Sequence, residues 1–509
     1  MERPSSGRAG EHVGRSDHGT PWSPWVTEGP RDAEPSLPVG HEWQLLVDTH
    51  LLADWWNIVR AQEPVEKFDA NPIIQPNLSW ERRHTYGGFP TGAMYDEQDG
   101  RFKIWYHHTL VSGGKVTGFA HSDDGVTWSK PDLNLVEVAG QRRNNICRLE
   151  PMGVPVWQDI CLVQNLPDDR PPQRRLLAVG ISPFAADGLR INGWRSGGYS
   201  ADGLTWHLLP GGERAGAGGG NMACIWDDDL EQYVLFQRQL TECAGAGFGR
   251  YIVRQTSTDL CRWSPRVTVF NPMDPTWPEV ESMMAFRHAG IYFGLPQMLE
   301  NRQRRELEVQ LAISRDGIHW ERPFPDHAFI PRGPDGSFDD TTTWFAQTVV
   351  RPDRIHFFYA GGRLRHGDRA RKADDGLKIG SACVPINRLI GLHAGDDAGA
   401  LLTRPILVEG EDLYLNAAVA PNGELRVEVI DPTINYHVDR EDGESWGYMA
   451  NAQTRTYPGF SMSDGQVVRG DSLRHQLTWR GGSLGALAGR PIRLRFEMRR
   501  ATVYALLIG

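Results

Sequence analysis

Ser122-Asp-Asp-Gly-Val-Thr-Trp128 is the first copy of a short sequence that recurs along the chain and decides the fold. Asp-Gly favours a tight turn, the preceding Ser and Asp side chains can hydrogen-bond the turn backbone, and the Trp can close over the turn from the returning strand. We therefore expect a hairpin at each copy and a structural role for its aspartate. The other copies are Ser200-Ala-Asp-Gly-Leu-Thr-Trp206, Ser257-Thr-Asp-Leu-Cys-Arg-Trp263 and Ser314-Arg-Asp-Gly-Ile-His-Trp320, with starting serines 78, 57 and 57 residues apart.

A strand-like run, usually aromatic, precedes each copy. Five such runs at this spacing predict five similar units, and radial stacking would cover both faces of each small sheet. The predicted fold is therefore all-β, with a five-bladed β-propeller over residues 43–395. The runs are Phe102-Lys-Ile-Trp-Tyr106, Leu176-Leu-Ala-Val179, Tyr233-Val-Leu-Phe236, Ile291-Tyr-Phe-Gly294 and Ile355-His-Phe-Phe-Tyr359, the last followed by Ser381-Ala-Cys-Val-Pro385 without the Asp-Gly-Trp ending.

The two ends of the chain differ from the repeats. Residues 1–40 are rich in Gly, Pro, Ser, Arg and Glu without periodicity, so we expect a disordered tail. Polar and apolar residues alternate in Leu425-Arg-Val-Glu-Val-Ile430 and Ile492-Arg-Leu-Arg-Phe-Glu-Met498, which is typical of strands with one wet face. Residues 396–509 are therefore predicted to form a C-terminal β-sandwich.

Composition excludes several classes of function. The 509 residues carry a formal net charge of −10, so nucleic acid and anionic membrane surfaces are not expected partners. The six cysteines form no Cys-x-x-Cys pair, and the N-terminus has no signal-peptide core, so we expect free thiols in a cytoplasmic protein. A small molecule or an oligosaccharide is the expected ligand, and the sequence does not decide the oligomeric state.

Two further motifs point away from metal and phosphate. The neighbouring His107 and His108 would face opposite sides of one strand and could not bind one metal together. The glycine-rich segment 211–220 lacks a Lys-Ser/Thr ending, so it is not a phosphate loop. No metal site and no cofactor are predicted, and Ca²⁺ in the propeller channel is left open.

Three stretches carry a resemblance to a known family: Gly88-Phe-Pro-Thr-Gly-Ala-Met-Tyr95, Val156-Trp-Gln-Asp159 and Glu281-Ser-Met-Met-Ala-Phe286. Together with the layout, they make the chain similar to glycoside hydrolase family 32 and its propeller relative, family 43. The resemblance implies an axial site with three acids, on blades one, two and three. Phe89 occupies the place of the nucleophile, Asp159 matches the acid of the second motif, and Glu281 resembles the third acid but falls on blade four.

The candidate site residues lie on or just before the innermost strands, which point toward the propeller axis. Glycosidic cleavage needs two carboxyl groups, one protonated and one ionised. Acids crowded in a partly dry channel would acquire that division of roles. The alternative is that these acids cap turns or pair with Arg238, Arg250 or Arg254, and that the aromatic residues only pack. The predicted catalytic residues are Asp159, Glu281 and Asp340, and the predicted substrate-binding residues are His84, Tyr86, Trp157, Asn221 and Trp344.

Three functions fit these observations. The first is a glycoside hydrolase-like enzyme that uses carboxylate acid/base chemistry on a glycoside or oligosaccharide in the axial pocket. The second is a repurposed propeller enzyme that performs another acid/base reaction, such as cyclisation or elimination, on a specialised metabolite. The third is a non-catalytic carbohydrate-binding protein. Layout alone does not rank them.

Overall fold

A computed structural model gives the structure of the chain. Its regular elements are almost all β-strands, joined by short 3₁₀ helices such as Pro172–Arg174 and Leu484–Leu487. Over the described ranges, no helix has the length and apolarity needed to span a membrane. Most of the predicted disordered tail, residues 1–34, lies outside the described residues. The structure describes residues 35–81, 88–111, 114–155, 159–184, 190–214, 222–243, 247–272, 274–301, 303–368, 376–432 and 456–509.

The chain divides into two compact units. The larger is Val65–Cys383, and the smaller combines Met1–Pro64 with Val384–Gly509. Four short strands precede the first repeat: β1 (Gln44–Leu45), β2 (Leu52–Trp56), β3 (Val59–Gln62) and β4 (Glu66–Lys67).

The strands of the larger unit form hydrogen-bonded sheets of 11, 8 and 3 strands. We describe them as five groups in chain order, each mainly antiparallel, with one parallel pairing inside group two, Arg148↔Thr205 to Glu150↔His207. Group one is β5 (Phe89–Asp96), β6 (Arg101–Thr109) and β7 (Lys115–Ser122). Group two is β8 (Arg148–Glu150), β9 (Val154–Pro155), β10 (Asp159–Gln164), β11 (Leu176–Phe184), β12 (Arg190–Ser200), β13 (Thr205–Leu208) and β14 (Glu213–Arg214). Group three is β15 (Met222–Asp227), β16 (Gln232–Cys243), β17 (Gly247–Ser257) and β18 (Val267–Phe270). Group four is β19 (Glu279–His288), β20 (Ile291–Glu300), β21 (Glu306–Val309) and β22 (Ala312–Ser314). Group five is β23 (Thr342–Val350), β24 (Arg354–Gly362) and β25 (Lys378–Pro385).

The five groups are arranged as a propeller. We call β5, β10, β15, β19 and β23 the inner strands, because each contacts the next and β23 contacts β5, which completes a ring. Strand β4, from the start of the unit, pairs with β25 of group five through Lys67 and Ala382. The predicted all-β fold is confirmed, and these contacts agree with a five-bladed propeller. The five strand-like runs of the sequence belong to β6, β11, β16, β20 and β24, each of which follows an inner strand.

The repeated Ser-x-Asp sequences form the predicted turns. In the first copy, Asp124 Oδ1 accepts hydrogen bonds from the backbone N–H groups of Val126 and Thr127, at 2.8 and 2.7 Å. The Trp128 indole N–H donates to the Gly125 carbonyl at 3.0 Å and closes the turn. The hydrogen bonds within the turn satisfy its backbone groups, so the chain can reverse at the end of the third strand of the group. The aspartates of the other copies accept equivalent backbone hydrogen bonds.

The smaller unit includes the segment predicted to form a β-sandwich. Its strands belong to one nine-stranded antiparallel arrangement, and the sandwich stays a prediction. The unit's long strands β29 (Leu413–Ile430) and β31 (Pro491–Ile508) pair antiparallel from Leu413↔Ile508 to Ile430↔Arg493, with register shifts between these ends. Ile492, Leu494 and Phe496 are fully buried and alternate with partly exposed residues, as the sequence predicted. Its later strands are β26 (Ile390–Ala394), β27 (Gly399–Thr403), β28 (Ile406–Leu407), β29 (Leu413–Ile430), β30 (Gly470–Leu477) and β31 (Pro491–Ile508).

The predicted boundaries differ from the observed ones. We expected the propeller to occupy residues 43–395, whereas the larger unit is Val65–Cys383. Strands β1, β2 and β3 pair instead with β31, β27 and β26 of the smaller unit. In addition, Leu37, within the predicted tail, bridges to Ile406. These pairings join residues more than 300 positions apart, so no local pattern in the sequence reveals them.

Candidate functional site

The inner strands enclose an open cavity at the propeller axis. The centre of a water-sized sphere can occupy only about 20 Å³ of it, which is room for about one water molecule. Every group contributes to its wall, as expected for the centre of a ring of inner strands. The lining residues are Phe89, Pro90, Thr91, Ile160, Cys161, Met222, Met284, Phe345 and Gln347.

Three of the five inner strands are bulged near this cavity. The register of β5 shifts at Thr91, that of β19 at Glu281, and that of β23 between Trp344 and Gln347. Phe345, in the third bulge, has a backbone φ of 43°, which is unusual for a bulky side chain. A bulge re-aims a side chain and is common next to active sites, and unusual backbone conformations also cluster there. Glu281 and Phe345, which lie in two of these bulges, are therefore candidate site residues.

Glu281 is buried and ion-paired on both carboxylate oxygens. Its Oε1 accepts a hydrogen bond from Arg238 Nη1, and that guanidinium also donates to the Glu281 carbonyl at 3.2 Å. Its Oε2 lies 2.8 Å from Arg250 Nε, in an ion pair that is not a well-aligned hydrogen bond. Arg250 also pairs with Glu279, at the start of the same strand. Glu281 is therefore ion-paired with Arg238 and Arg250, which is the alternative role that the sequence left open.

Local sequence explains this arrangement. Arg238 lies on β16 opposite Ile252, and Arg250 lies on β17 opposite Leu240. Side chains alternate between the faces of a strand, so both arginines project from the same face of group three. That face meets the inner strand of group four, which carries Glu281.

His366 completes the cluster from the segment that follows β24. Its Nε2 lies 3.8 Å from Glu281 Oε2, while its Nδ1 contacts Asn301 Oδ1 at 2.9 Å. Because an amide oxygen only accepts, Nδ1 carries the proton and Nε2 presents a lone pair. Burial lowers the pKa of His366, the carboxylate of Glu281 opposes this effect, and the charges of Arg250 and Arg238 add to the lowering. The imidazole is therefore neutral at pH 7 and able to accept a proton at Nε2.

The structure places the other predicted catalytic residues as follows. Asp159 is the first residue of the inner strand β10, and its side chain lies outside the described part of the chain. Asp340 lies before β23, where it accepts hydrogen bonds from the Gly336 backbone at 3.0 Å and the Thr341 hydroxyl at 2.8 Å. Arg363 Nε is 3.7 Å from the same carboxylate. Asp340 thus caps its own loop, and none of these partners is shared with Glu281.

The predicted substrate-binding residues are only partly described. His84, Tyr86, Trp157 and Asn221 lie outside the described residues. Trp344 is buried and stacks on Phe345, with 4.4 Å between the ring centroids. Its position is that of a packed aromatic residue behind the wall of the cavity.

Phe89 stands where the resemblance to family 32 expects a carboxylate. It opens the inner strand β5 and lines the cavity. Its ring stacks on His107 at 4.5 Å and on Phe345 at 4.3 Å between centroids. An apolar aromatic stack therefore occupies the place of the family nucleophile.

Sequence reasoning missed His366 and Phe345. Both depend on features that a linear pattern does not show, a loop that reaches a neighbouring group and a bulge in an inner strand. The segment Gly361-Gly-Arg-Leu-Arg-His-Gly367, rich in Arg and His after a predicted strand, was the available signal for His366. In the described ranges, no group of three His, Cys, Asp or Glu side chains is arranged to hold a metal ion.

Comparison with known proteins gives structural likeness only. No protein-family model and no curated protein matches the chain. Similar solved structures include an N-acetylgalactosamine deacetylase from F. plautii in complex with blood group B trisaccharide, with 14% identity over 65% of this chain and 96% of that chain and a TM-score of 0.44. A thermostable family-43 glycoside hydrolase has 12% identity over 61% and 91% of the two chains, with a TM-score of 0.40. A fructofuranosidase from Schwanniomyces occidentalis in complex with fructosylnystose has 10% identity over 88% and 98%, with a TM-score of 0.36. Glycoside hydrolases are thus among the structures that this chain is similar to, and at these scores the likeness carries no argument about its reaction or substrate.

Proposed function

We propose that the chain is a glycoside hydrolase-like enzyme that acts on a glycoside or oligosaccharide at the axial cavity. The observation that carries this proposal is the bulged Glu281, a buried carboxylate on an inner strand that faces a neutral histidine. Glu281 lies on the same inner strand as Met284, which lines the cavity.

The two arginines determine the role that suits Glu281. Both of its oxygens face guanidinium groups, so it suits a base, or an anion that stabilises an oxocarbenium-like transition state, better than a proton donor. We assign the proton donor to Asp159, at the start of the inner strand β10. In the proposed hydrolysis, the glycosidic C–O bond breaks and its leaving oxygen takes the proton of Asp159. Glu281 removes a proton from a water molecule, whose oxygen bonds to the anomeric carbon.

His366 has a supporting role in the proposal. Its neutral Nε2 lies near Glu281 Oε2 and can accept the proton that the base removes from water. This transfer would return Glu281 to its ionised form before the next turnover.

A second candidate function rests on Phe89. An apolar side chain at the family nucleophile's place removes the group that would form a covalent glycosyl intermediate. The same cavity would then suit acid/base chemistry on a specialised metabolite, a cyclisation or an elimination. This reaction would consume substrate without releasing sugar.

The test is a panel of aryl glycosides assayed for release of the aryl alcohol. Glu281→Gln and Asp159→Asn keep the shape of each side chain and remove its acid/base chemistry, so each is expected to lower kcat by at least about 100-fold. Glu308→Gln is the matched control, because Glu308 is a partly buried acid of the same strand group that accepts from Gln310 at 3.0 Å. Its activity is expected to equal that of the unaltered protein.

The other outcomes separate the alternatives. Binding of sugars without turnover, unchanged by Glu281→Gln, would contradict the proposal and favour a carbohydrate-binding protein. Conversion of a metabolite without release of sugar would favour the second candidate. Circular dichroism and melting temperature of each variant show whether a loss of activity reflects a loss of fold.

A further inference from the structure

A short segment of group five extends to group four. We call residues 363–368, which follow β24, the strap. The Arg363 side chain fixes its start, because Nε donates to the Ser337 carbonyl at 2.9 Å. Leu364 is buried, and its carbonyl accepts from the Thr342 hydroxyl at 2.6 Å. The strap is therefore anchored on its own group before it reaches the next one.

Three contacts join the strap to the turn between β20 and β21. The His366 backbone N–H donates to the Arg305 carbonyl at 2.8 Å. The Arg305 guanidinium pairs with Asp368, with Nη1 2.8 Å from Oδ1. The His366 ring contacts Oδ1 of Asn301 through Nδ1 at 2.9 Å. The backbone contact fixes the place of residue 366, and the ring contact decides how its imidazole is turned.

A buried carboxylate holds the turn that carries Asn301. Glu300 is 8% exposed, and its Oε2 accepts hydrogen bonds from the backbone N–H groups of Gln303 at 3.0 Å and Arg304 at 2.5 Å. These bonds satisfy backbone groups that the tight turn leaves without strand partners. Asn301, the next residue, therefore lies on a turn that its neighbour holds in place.

An asparagine can orient a histidine without charging it. Its amide oxygen accepts the Nδ1 proton and selects the tautomer whose Nε2 carries a lone pair. An aspartate in the same place would also favour the imidazolium and raise the pKa of the ring. An amide therefore suits a histidine that stays neutral and accepts a proton at Nε2, the atom that lies 3.8 Å from Glu281 Oε2.

The charges that face the ring come in both signs. Burial lowers the pKa of His366, Glu281 and Glu279 raise it, and Arg250 and Arg238 lower it. Because the contact at Nδ1 is uncharged, it leaves this balance as it is. The ring is thus oriented by one neutral side chain among two carboxylates and two guanidinium groups.

We propose that Asn301 is a positioning residue of the site, which holds His366 in the Nδ1–H tautomer and aims Nε2 at Glu281. The catalytic consequence rests on the proposed function, in which His366 takes the proton from Glu281. The orientation of the ring rests only on the contacts of the strap and the turn.

NMR spectroscopy of the full-length protein with isotopically labelled histidine tests the orientation without any substrate. Nitrogen spectra near neutral pH distinguish a protonated ring nitrogen from an unprotonated one, and the signals lost in His366→Gln identify His366. In the unaltered protein we expect Nδ1 to be protonated and Nε2 unprotonated. Asn301→Leu removes the acceptor at Nδ1, so we expect the proton to move to Nε2, where the Glu281 carboxylate can accept it.

Two matched variants separate the role of the amide from that of the strap. Asn301→Asp keeps the acceptor and adds a charge, so we expect the same tautomer and a higher pKa of His366 than in the unaltered protein. Asp368→Asn weakens only the ion pair with Arg305, whose side chains are 36% and 42% exposed. We expect this variant to keep the tautomer of His366, because an exposed pair contributes little.

Kinetics on any aryl glycoside that the unaltered protein hydrolyses test the catalytic consequence. Asn301→Leu should lower kcat by about tenfold or more and change KM by less than about twofold, because Nε2 then carries a proton and cannot accept one. Asn301→Asp should keep its activity at high pH and lose it at a higher pH than the unaltered protein as the pH falls.

A His366 ring protonated at Nε2 in the unaltered protein would overturn the inference. An unchanged tautomer in folded Asn301→Leu would also overturn it, because another group would then orient the ring. A changed tautomer with unchanged kcat would contradict the positioning role. If Asn301→Leu does not fold, an unchanged pKa of His366 in Asn301→Asp would show that residue 301 does not act on the ring.

Failure of the proposed function looks different. The unaltered protein would then hydrolyse no glycoside, while the tautomers of His366 in the unaltered protein and in Asn301→Leu still follow the expectation. In that case the orientation of His366 by Asn301 stands, and only its use in glycoside hydrolysis is contradicted.

Discussion

The aspartates of the repeated turns provide a sharp prediction, because an adjacent acid serves as its control. Asp124→Ala removes two backbone hydrogen bonds, of 2.8 and 2.7 Å, and a third from the Ser122 hydroxyl at 2.9 Å. Each is worth about 1 kcal/mol net, and water replaces part of them at this exposed position. We expect a loss of about 2 kcal/mol in the free energy of unfolding, with catalytic activity unchanged.

Asp123→Ala removes the neighbouring carboxylate. Asp123 pairs with Arg101 at 2.6 Å, but their side chains are 76% and 44% exposed. An exposed pair of this kind contributes about 0–0.5 kcal/mol. In a thermal melt of the full chain, we expect Asp124→Ala to lower the apparent melting temperature by about 3 °C and Asp123→Ala by less than about 1 °C.

The pH dependence of stability tests the role of Asp124 in a second way. Backbone N–H groups of Thr127 and Val126 lower the pKa of Asp124 to about 2. A lowered pKa in the folded state contributes stability above the unfolded-state pKa, about 3.9, and this contribution is lost as the pH falls toward 2. The difference between Asp124→Ala and the unaltered protein should therefore shrink over that window. Equal melting temperatures for the Asp123 and Asp124 variants, or loss of activity in a stable Asp124 variant, would refute the structural assignment.

Three more perturbations follow from the structure. Arg250→Met removes the cation between two buried carboxylates, so the free energy of unfolding should fall by about 3–5 kcal/mol in urea titrations. His356→Phe should remove a pH-dependent part of the stability. Burial lowers the pKa of His356 to about 4, so the unaltered protein should lose up to about 3 kcal/mol relative to the variant between pH 6.5 and 4. Gly118→Ala places a methyl group 2.6 Å from the Tyr106 ring, and calorimetry should show a loss of about 1–3 kcal/mol.

Each of the three has its own contradiction. Arg250→Lys keeps the charge, and an equal loss in the Lys and Met variants would show that the ion pairs are not the cause. If the stability of His356→Phe and of the unaltered protein falls equally between pH 6.5 and 4, then titration of His356 does not cause the loss. An unchanged melting temperature for Gly118→Ala would mean that Tyr106 moves without cost.

The propeller could be predicted from the sequence because its signals are local. A turn such as Ser122 to Trp128 is held by hydrogen bonds within seven residues. Similar sequences start at Ser200, Ser257 and Ser314, so the turns are visible in the sequence. The aromatic runs mark the second strands for the same reason, since alternation and β propensity are properties of short segments. Local chemistry therefore reports the number and order of the groups.

The boundary of the propeller could not be predicted in this way. Strands β1 to β3 look like the strands that follow them, and only their partners assign them to the other unit. Pairing over more than 300 residues leaves no mark on composition or periodicity.

The candidate site was predictable in part. Glu281 is predictable because Glu281-Ser-Met-Met-Ala-Phe286 resembles the third acid motif of family 32, and Arg238 and Arg250 are predictable as its alternative partners. The bulge that aims Glu281, the loop that brings His366 to it and the positive φ of Phe345 depend on neighbouring groups of the propeller. A single sequence does not encode such contacts in a readable pattern.

A crystal structure of the Asp159→Asn variant soaked with a phenyl glycoside would show whether Glu281 and the axial cavity form one site. If they form one site, electron density should show the glycosidic oxygen near Glu281 and the rest of the ligand inside the ring of inner strands. Density bound only outside the ring of inner strands, with no ligand atom in contact with Glu281, would contradict it.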